Sequence, residues 1–239
     1  MKIKTYGWVL ATLTLEVIAG MTCVANRAHA QSNDYSFAWL DPDKKIYVLQ
    51  NRKYTKAGRP ELSMAGGLGL SNPFRNTSVI DARATYYFTE DMGLELLYIY
   101  SFQTSSSTFD LLKQTVPTTL PVAREFRAQY AALFKWIPWY AKINVFNSIL
   151  YFDWHFGAGL GQVTYDTDLN TNANNPPNFY TQTTMGYYLQ TGHAYHLNQN
   201  WDVKLNLLGV FYQSPQLGNT GPVLLYSNFM VTAGVGYRF

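Results

Sequence analysis

Between Leu62 and Leu70 an apolar side chain falls at every second position, with Ser63, Ala65, Gly67 and Gly69 in the gaps. The same period of two returns as Ile80, Ala82, Ala84, Tyr86 and Phe88 against Asp81, Arg83, Thr85 and Tyr87, and then as Leu94, Leu96, Tyr98, Tyr100 and Phe102. It is clearest where Phe126, Ala128, Tyr130, Ala132, Phe134 and Trp136 alternate with Glu125, Arg127, Gln129, Ala131, Leu133 and Lys135. Phe152, Trp154, Phe156, Ala158 and Leu160 follow, opposite Asp153, His155, Gly157, Gly159 and Gly161. Successive side chains of a strand point to opposite faces, so each segment reads as a β-strand. Three weaker segments near 181–195, 201–212 and 227–239 bring the expectation to eight.

The segments run to roughly ten residues, the length of a strand crossing a bilayer at a tilt. Their connections fall near 71–77, 89–93, 103–123, 137–147, 164–180, 196–200 and 213–226. The second, fourth and sixth are mostly short; the third, fifth and seventh are long and polar, with an Asn-rich tip over Asn170 to Asn178. Tight turns at one end and long loops at the other predict an all-β fold. It is a closed, antiparallel, up-and-down transmembrane barrel of eight strands, with short periplasmic turns and long extracellular loops.

Composition supports this reading. Only 14% of residues are charged, against 47% apolar and 16% aromatic, where a soluble domain carries roughly 25% charge. From Leu169 to Phe239 the charged residues are Asp202, Lys204 and Arg238 alone. So much aromatic surface excludes disorder. Beyond the N-terminus no run is apolar enough for a spanning helix. A soluble lipocalin-like barrel is the alternative, with the apolar face inside. Against it, the polar face (Asp81, Arg83, Glu95, Glu125, Arg127, Lys135, Asp153, His155, Asp202, Lys204 and Arg238) balances its signs, as a packed interior network requires. The other face gathers Phe88, Trp136, Trp139, Tyr140, Tyr195, Trp201 and Tyr237 near the turns, and Tyr100, Phe102, Tyr180, Phe211 and Tyr226 near the loops. Two such girdles mark lipid-water interfaces.

Lys2 and Lys4, an apolar stretch from Trp8 to Val24, and Ala28-His29-Ala30 form the pattern of a cleaved export signal, residues 1–30. Residues 31–59 are polar and charged, a periplasmic leader or partner-binding segment around Ile46-Tyr47-Val48-Leu49, and residues 60–239 form the barrel. The sole cysteine, Cys23, lies in the signal, so the exported chain has no disulfide or thiol chemistry. Without the signal its charges nearly cancel, which argues against nucleic acid as a partner.

The ending Thr232-Ala233-Gly234-Val235-Gly236-Tyr237-Arg238-Phe239 resembles the C-terminal assembly signal of Gram-negative outer-membrane proteins, carried here by Thr232, Gly234, Tyr237 and Phe239. Arg59-Pro60-Glu61-Leu62, Asn72-Pro73-Phe74, Tyr87-Phe88-Thr89-Glu90, Gly93-Leu94-Glu95-Leu96 and the block from Ala141 to Gly159 resemble the outer-membrane β-barrel family of the myxobacterial and Bdellovibrio type. The resemblance implies fold and location, and barrel-assembly machinery and outer-membrane lipids, lipopolysaccharide included, as partners. Some relatives of that type belong to envelope-spanning machinery, and the resemblance supplies no catalytic residues.

Asp153 and His155 point the same way, with Glu95 or Glu125 within reach, as in a general acid/base cluster. A salt-bridge network filling a narrow lumen explains the same residues, because eight strands leave room for little but side chains. No histidine pair has metal-ligand spacing, and Gly157-Ala158-Gly159-Leu160-Gly161 lies on an alternating strand without a following helix. The expectation is a non-enzymatic barrel without cofactor, an anchor or scaffold whose envelope partners bind residues 31–59 or the long loops. A narrow channel and a lipid-modifying enzyme are the alternatives.

Overall fold

A computed structural model of the chain describes residues 52–239, apart from 147, 171, 177, 218 and 219. The expected export signal, and the polar segment as far as Asn51, lie outside the described residues. Eight strands follow in order: β1 (Pro60–Gly69), β2 (Arg75–Tyr87), β3 (Met92–Ser105), β4 (Arg124–Val145), β5 (Ser148–Asp168), β6 (Phe179–His196), β7 (Trp201–Leu217) and β8 (Thr220–Arg238). Each pairs antiparallel with its neighbours in the chain, and β1 pairs with β8 from Glu61↔Arg238 to Gly69↔Met230, which closes the barrel.

The alternation decides which side is which. Leu62, Met64, Leu96 and Leu160 point outward at 54%, 63%, 55% and 55% exposure, while Asp81, Arg83 and Glu95 point inward at 0%, 3% and 0%. This overturns the lipocalin-like alternative, in which apolar side chains fill the interior and charges face water. No helix among the described residues is long and apolar enough to cross a membrane; the apolar outer wall is built by strands.

The interior is not polar throughout. Towards the loop end Val79, Leu97, Ile99, Leu133, Val163, Tyr188, Leu208, Val210 and Met230 pack into one inward-facing cluster. Over this half both faces of the wall are apolar, and alternation fades in β7 and β8 for that reason.

Two β-bulges in β4 change individual faces. Between Phe126 and Ala128 the pairing with β5 slips by one residue, as an extra residue in one strand makes it do. Phe126, expected on the outer face, is therefore buried inside at 6%. Arg127, expected inside, points out with 61% of its side chain exposed, paired with Asp166. Glu125 is a second correction: it sits half-buried at the loop-end rim, 2.7 Å from Arg75, outside the interior network. The second slip, between Trp136 and Trp139, takes up Pro138, since a proline without an N–H is tolerated in a bulge. It leaves Trp136 and Trp139 both outward beside Trp154 and Phe156. Tyr226, counted with the outer girdle, instead faces inward against the apolar cluster.

Segments expected as connections are partly strand. β4 and β5 stay paired to Val145↔Ser148, beyond the last β3 partner at Trp136, so much of 137–147 is a protruding hairpin with Phe146 at its tip, 99% exposed. At the other end β7 and β8 pair to Leu217↔Thr220, beyond their last contacts with β6 (Tyr212) and β1 (Met230), so the excursion over 213–226 is ordered as sheet. The third connection holds a helix, α1 (Ser107–Thr115), which the alternation gave no reason to expect. Ser106 caps it by accepting from Phe109 N at 3.2 Å and donates to Pro73 O at 2.8 Å, satisfying an orphan helix donor. Phe109 is buried against Phe74 and under Arg75, which ties this loop to the first. In the fifth connection Asp168, Asn170 and Asn172 each accept from the backbone two residues on, a chain of Asx turns.

A basic residue on the apolar band should be costly only where the band is deepest. Leu96→Arg is expected to lower stability in lipid vesicles by about 2–4 kcal/mol, whereas Phe146→Arg at the hairpin tip should change it by less than about 0.5 kcal/mol, both read by urea unfolding. Equal losses would show that these faces are misplaced.

Candidate functional site

The inward charges lie in the turn-end half of the lumen, in three connected groups. In the middle group Arg83 meets Asp81 through Nε at 3.2 Å and Nη2 at 2.8 Å, and Glu95 and Gln190 through Nη1 at 3.0 and 2.6 Å. Lys135 donates to the other oxygen of Glu95 at 2.8 Å, as does Thr85 at 3.2 Å. Glu95 is thus shared by two cations from opposite sides. Closer to the turns, Glu61 accepts from Lys204, from Arg238 at 2.8 Å and from the Tyr87 hydroxyl at 3.1 Å, and Arg238 also reaches Asp202 at 3.0 Å.

The third group closes the floor with residues from outside the barrel strands. Residues 52–59 lie against the turn end, held by Arg52 on Asp91 and by Lys56 N on Glu90 at 3.0 Å. From there the Lys56 side chain enters the lumen and pairs with Asp153, which also contacts His196 at 2.9 Å. Tyr54 packs edge-on against Tyr151 and lies beside His196. Burial pushes the Lys56 ammonium below the ordinary lysine range, with Asp153 opposing the shift. Gly58 then turns with φ +74°, a conformation glycine adopts without strain, and Arg59 Nε donates to Phe239 O at 2.5 Å.

Of the interior residues singled out from sequence, Asp81, Arg83, Glu95, Lys135, Asp153, His155, Lys204 and Arg238 are all buried within the lumen, with Asp202 beside them. Asp153 and His155 do not act on one another: His155 meets Asn206 at 3.1 Å, while Asp153 is taken by Lys56 and His196. Glu61, Lys56, Gln190 and His196 also lie in this interior and are not among the residues expected there from sequence. Glu61 was accessible, since Leu62 facing outward puts its neighbour inside. Lys56 carried no such signal, because it enters from a segment without strand periodicity. With these included, the acids of the turn-end half, Glu61, Asp81, Glu95, Asp153 and Asp202, are matched by Lys56, Arg83, Lys135, Lys204 and Arg238, while the buried Asp166 near the loop end pairs with Arg127.

The terminal motif has a place in the wall. Thr232 is buried at 1% beneath Arg83. A methyl group at Gly234 would overlap the Met64 carbonyl and Ala65 on β1, so only glycine lets the first and last strands close there. Tyr237 and Phe239 face outward and meet edge to face at 5.0 Å, and Phe239 N donates to Pro60 O at 3.0 Å. No group of three His, Cys, Asp or Glu among the described residues is placed to hold a metal.

The outer membrane protein beta-barrel domain model matches residues 25–239, nearly the whole chain. The chain belongs to this outer-membrane β-barrel family. Its apolar band therefore faces the lipid of a bacterial outer membrane, the turn end is periplasmic and the loop end extracellular. Among solved structures, the chain is similar to the N-terminal β-barrel domain of Pseudomonas aeruginosa OprF (TM-score 0.45, 15% identity, 77% of this chain and 98% of that one). It is also similar to Neisserial surface protein A (TM-score 0.46, 15% identity, 77% and 98%) and to Ail, the attachment invasion locus protein of Yersinia pestis (TM-score 0.40, 12% identity, 77% and 99%). No curated protein sequence matches the chain.

Taking one charge from a buried pair leaves its partner unpaid in a dry site, at about 3–5 kcal/mol. Glu95→Gln, which strands Lys135 and leaves Arg83 with Asp81 as its one carboxylate, is expected to cost about that much in urea unfolding. Adding Lys135→Met should restore part of the loss, and a double variant no more stable than Glu95→Gln would separate the two residues energetically.

Proposed function

We propose that this barrel is a non-catalytic anchor that holds its extracellular loops and periplasmic plug in place for contact with other envelope components. The observation that carries the reading is the filled lumen: matched charges occupy its periplasmic half and packed apolar side chains its extracellular half. A side chain held between two opposite charges is poorly placed to exchange protons with a substrate, and charge pairs and packed side chains across the middle of the lumen leave a solute a poor path. What remains open to partners lies at the ends. The extracellular end presents α1 with Leu111 63% exposed, and the periplasmic end presents the hairpin tip at Phe146.

The same reading takes the barrel-assembly machinery as the partner of the terminal motif, lipopolysaccharide and other lipids as its solvent, and residues 31–59 or the long loops as the route to an envelope complex. It keeps the myxobacterial and Bdellovibrio type as a branch of the family that this chain resembles, on the residues that carry the resemblance. A narrow channel is the second reading, favoured only by the number of charges that line the lumen.

Photo-crosslinking side chains at Leu111 and at Phe146 in intact cells test the anchor reading. One discrete protein adduct from at least one of the two sites is expected, and adducts with lipid alone at both would remove its basis.

A further inference from the structure

The extracellular mouth contains a polar feature that the anchor reading does not use. A cavity of about 140 Å³ lies where the first connection, the start of β4 and the β7–β8 hairpin meet, lined by Asn72, Arg124, Phe126, Tyr212, Tyr226 and Asn228. Arg124 is fixed on its rim: Nη2 donates to Pro215 O at 2.9 Å and Gln216 O at 3.2 Å, and the guanidinium lies 3.9 Å from the Tyr226 ring centre. Asn72 Nδ2 holds the Arg124 carbonyl at 2.9 Å.

Two of the buried donors without a partner belong to residues that line this cavity. Arg124 Nε is buried without a hydrogen-bond partner, and so is Nδ2 of Asn228, a residue only 3% exposed. No described carboxylate forms an ion pair with Arg124; its neighbours Glu125 and Asp166 are engaged by Arg75 and Arg127. A buried donor without an acceptor costs about 1–3 kcal/mol, and more when it is charged. Elsewhere in the lumen each cation has its anion, so an unmatched arginine beside an unmatched amide marks a place where the acceptor comes from outside the chain.

We propose that this cavity binds a small carboxylate presented from the cell exterior. A carboxylate has two acceptor oxygens and carries the charge Arg124 lacks, and charge-assisted hydrogen bonds of this kind are the strong ones. The walls of Phe126, Tyr212 and Tyr226 suit a short apolar body behind it. The volume equals that of four or five waters, at about 30 Å³ each, which admits a ligand of a few carbon atoms and excludes a folded partner.

The test is an NMR titration of the purified, heat-modifiable full-length barrel in detergent micelles with acetate and benzoate, with benzamide as neutral isostere and inorganic phosphate as a competing anion, at constant ionic strength. Saturable binding of at least one carboxylate is expected, with benzamide and phosphate at least ten-fold weaker. Arg124→Lys, which keeps the charge but loses Nε and the planar fork, should weaken carboxylate binding at least ten-fold. Asn228→Asp should abolish it by supplying a carboxylate from the chain itself. If the second variant does not fold, the first carries the test. No saturation by either carboxylate, equal binding of benzamide or phosphate, or unchanged binding in folded Arg124→Lys would each overturn the proposal.

Discussion

Eight strands closed on themselves fix a lumen only wide enough for side chains, and the charges that point into it must find their partners within that width. A charge there has little water to solvate it, and removing one from water costs several kcal/mol unless an opposite charge and hydrogen bonds replace the lost hydration. Glu95 between Arg83 and Lys135, and Glu61 between Lys204 and Arg238, satisfy that demand with groups from strands far apart in the chain. The network therefore fixes strand register as well as filling space, because a one-residue slip would turn its members to the lipid.

The division of the lumen into a charged periplasmic half and an apolar extracellular half follows from the ends. The periplasmic half is closed by the chain itself: residues 52–59 cross the mouth, Lys56 supplies the cation for Asp153, and Arg59 ties the crossing to the last residue. The first described residues thus meet the C-terminal strand where the barrel is sealed. At the extracellular half the loops do the covering, with α1 and Phe109 over the first connection.

What the sequence made legible was the wall. A wall one residue thick, with lipid on one side and a packed lumen on the other, writes its geometry into the chain as a period of two, and Leu62 to Leu70 or Ile80 to Phe88 can be read directly. Where the wall departs from that regularity the reading slipped. The bulge before Ala128 inserts one residue without any compositional mark, so Phe126 and Arg127 exchange faces. Tyr226 looks like a girdle residue because aromatics serve both faces near the rim. Lys56 was hidden by its position outside any strand, although Glu61, once placed inside, leaves the otherwise balanced interior one cation short. The α1 helix had a local signal in the capping Ser106 ahead of Phe109 and Asp110, masked by the expectation of an irregular loop.

A lumen sealed by paired charge and apolar packing is the claim on which the rest of this account depends, and electrical recording tests it most directly. Purified barrel incorporated into planar bilayers should show no steady conductance above the bare membrane at either polarity. Reproducible ion-conducting steps from the wild-type chain, altered in size by substitution of Arg83, would mean that the interior network lines a pore and does not fill one.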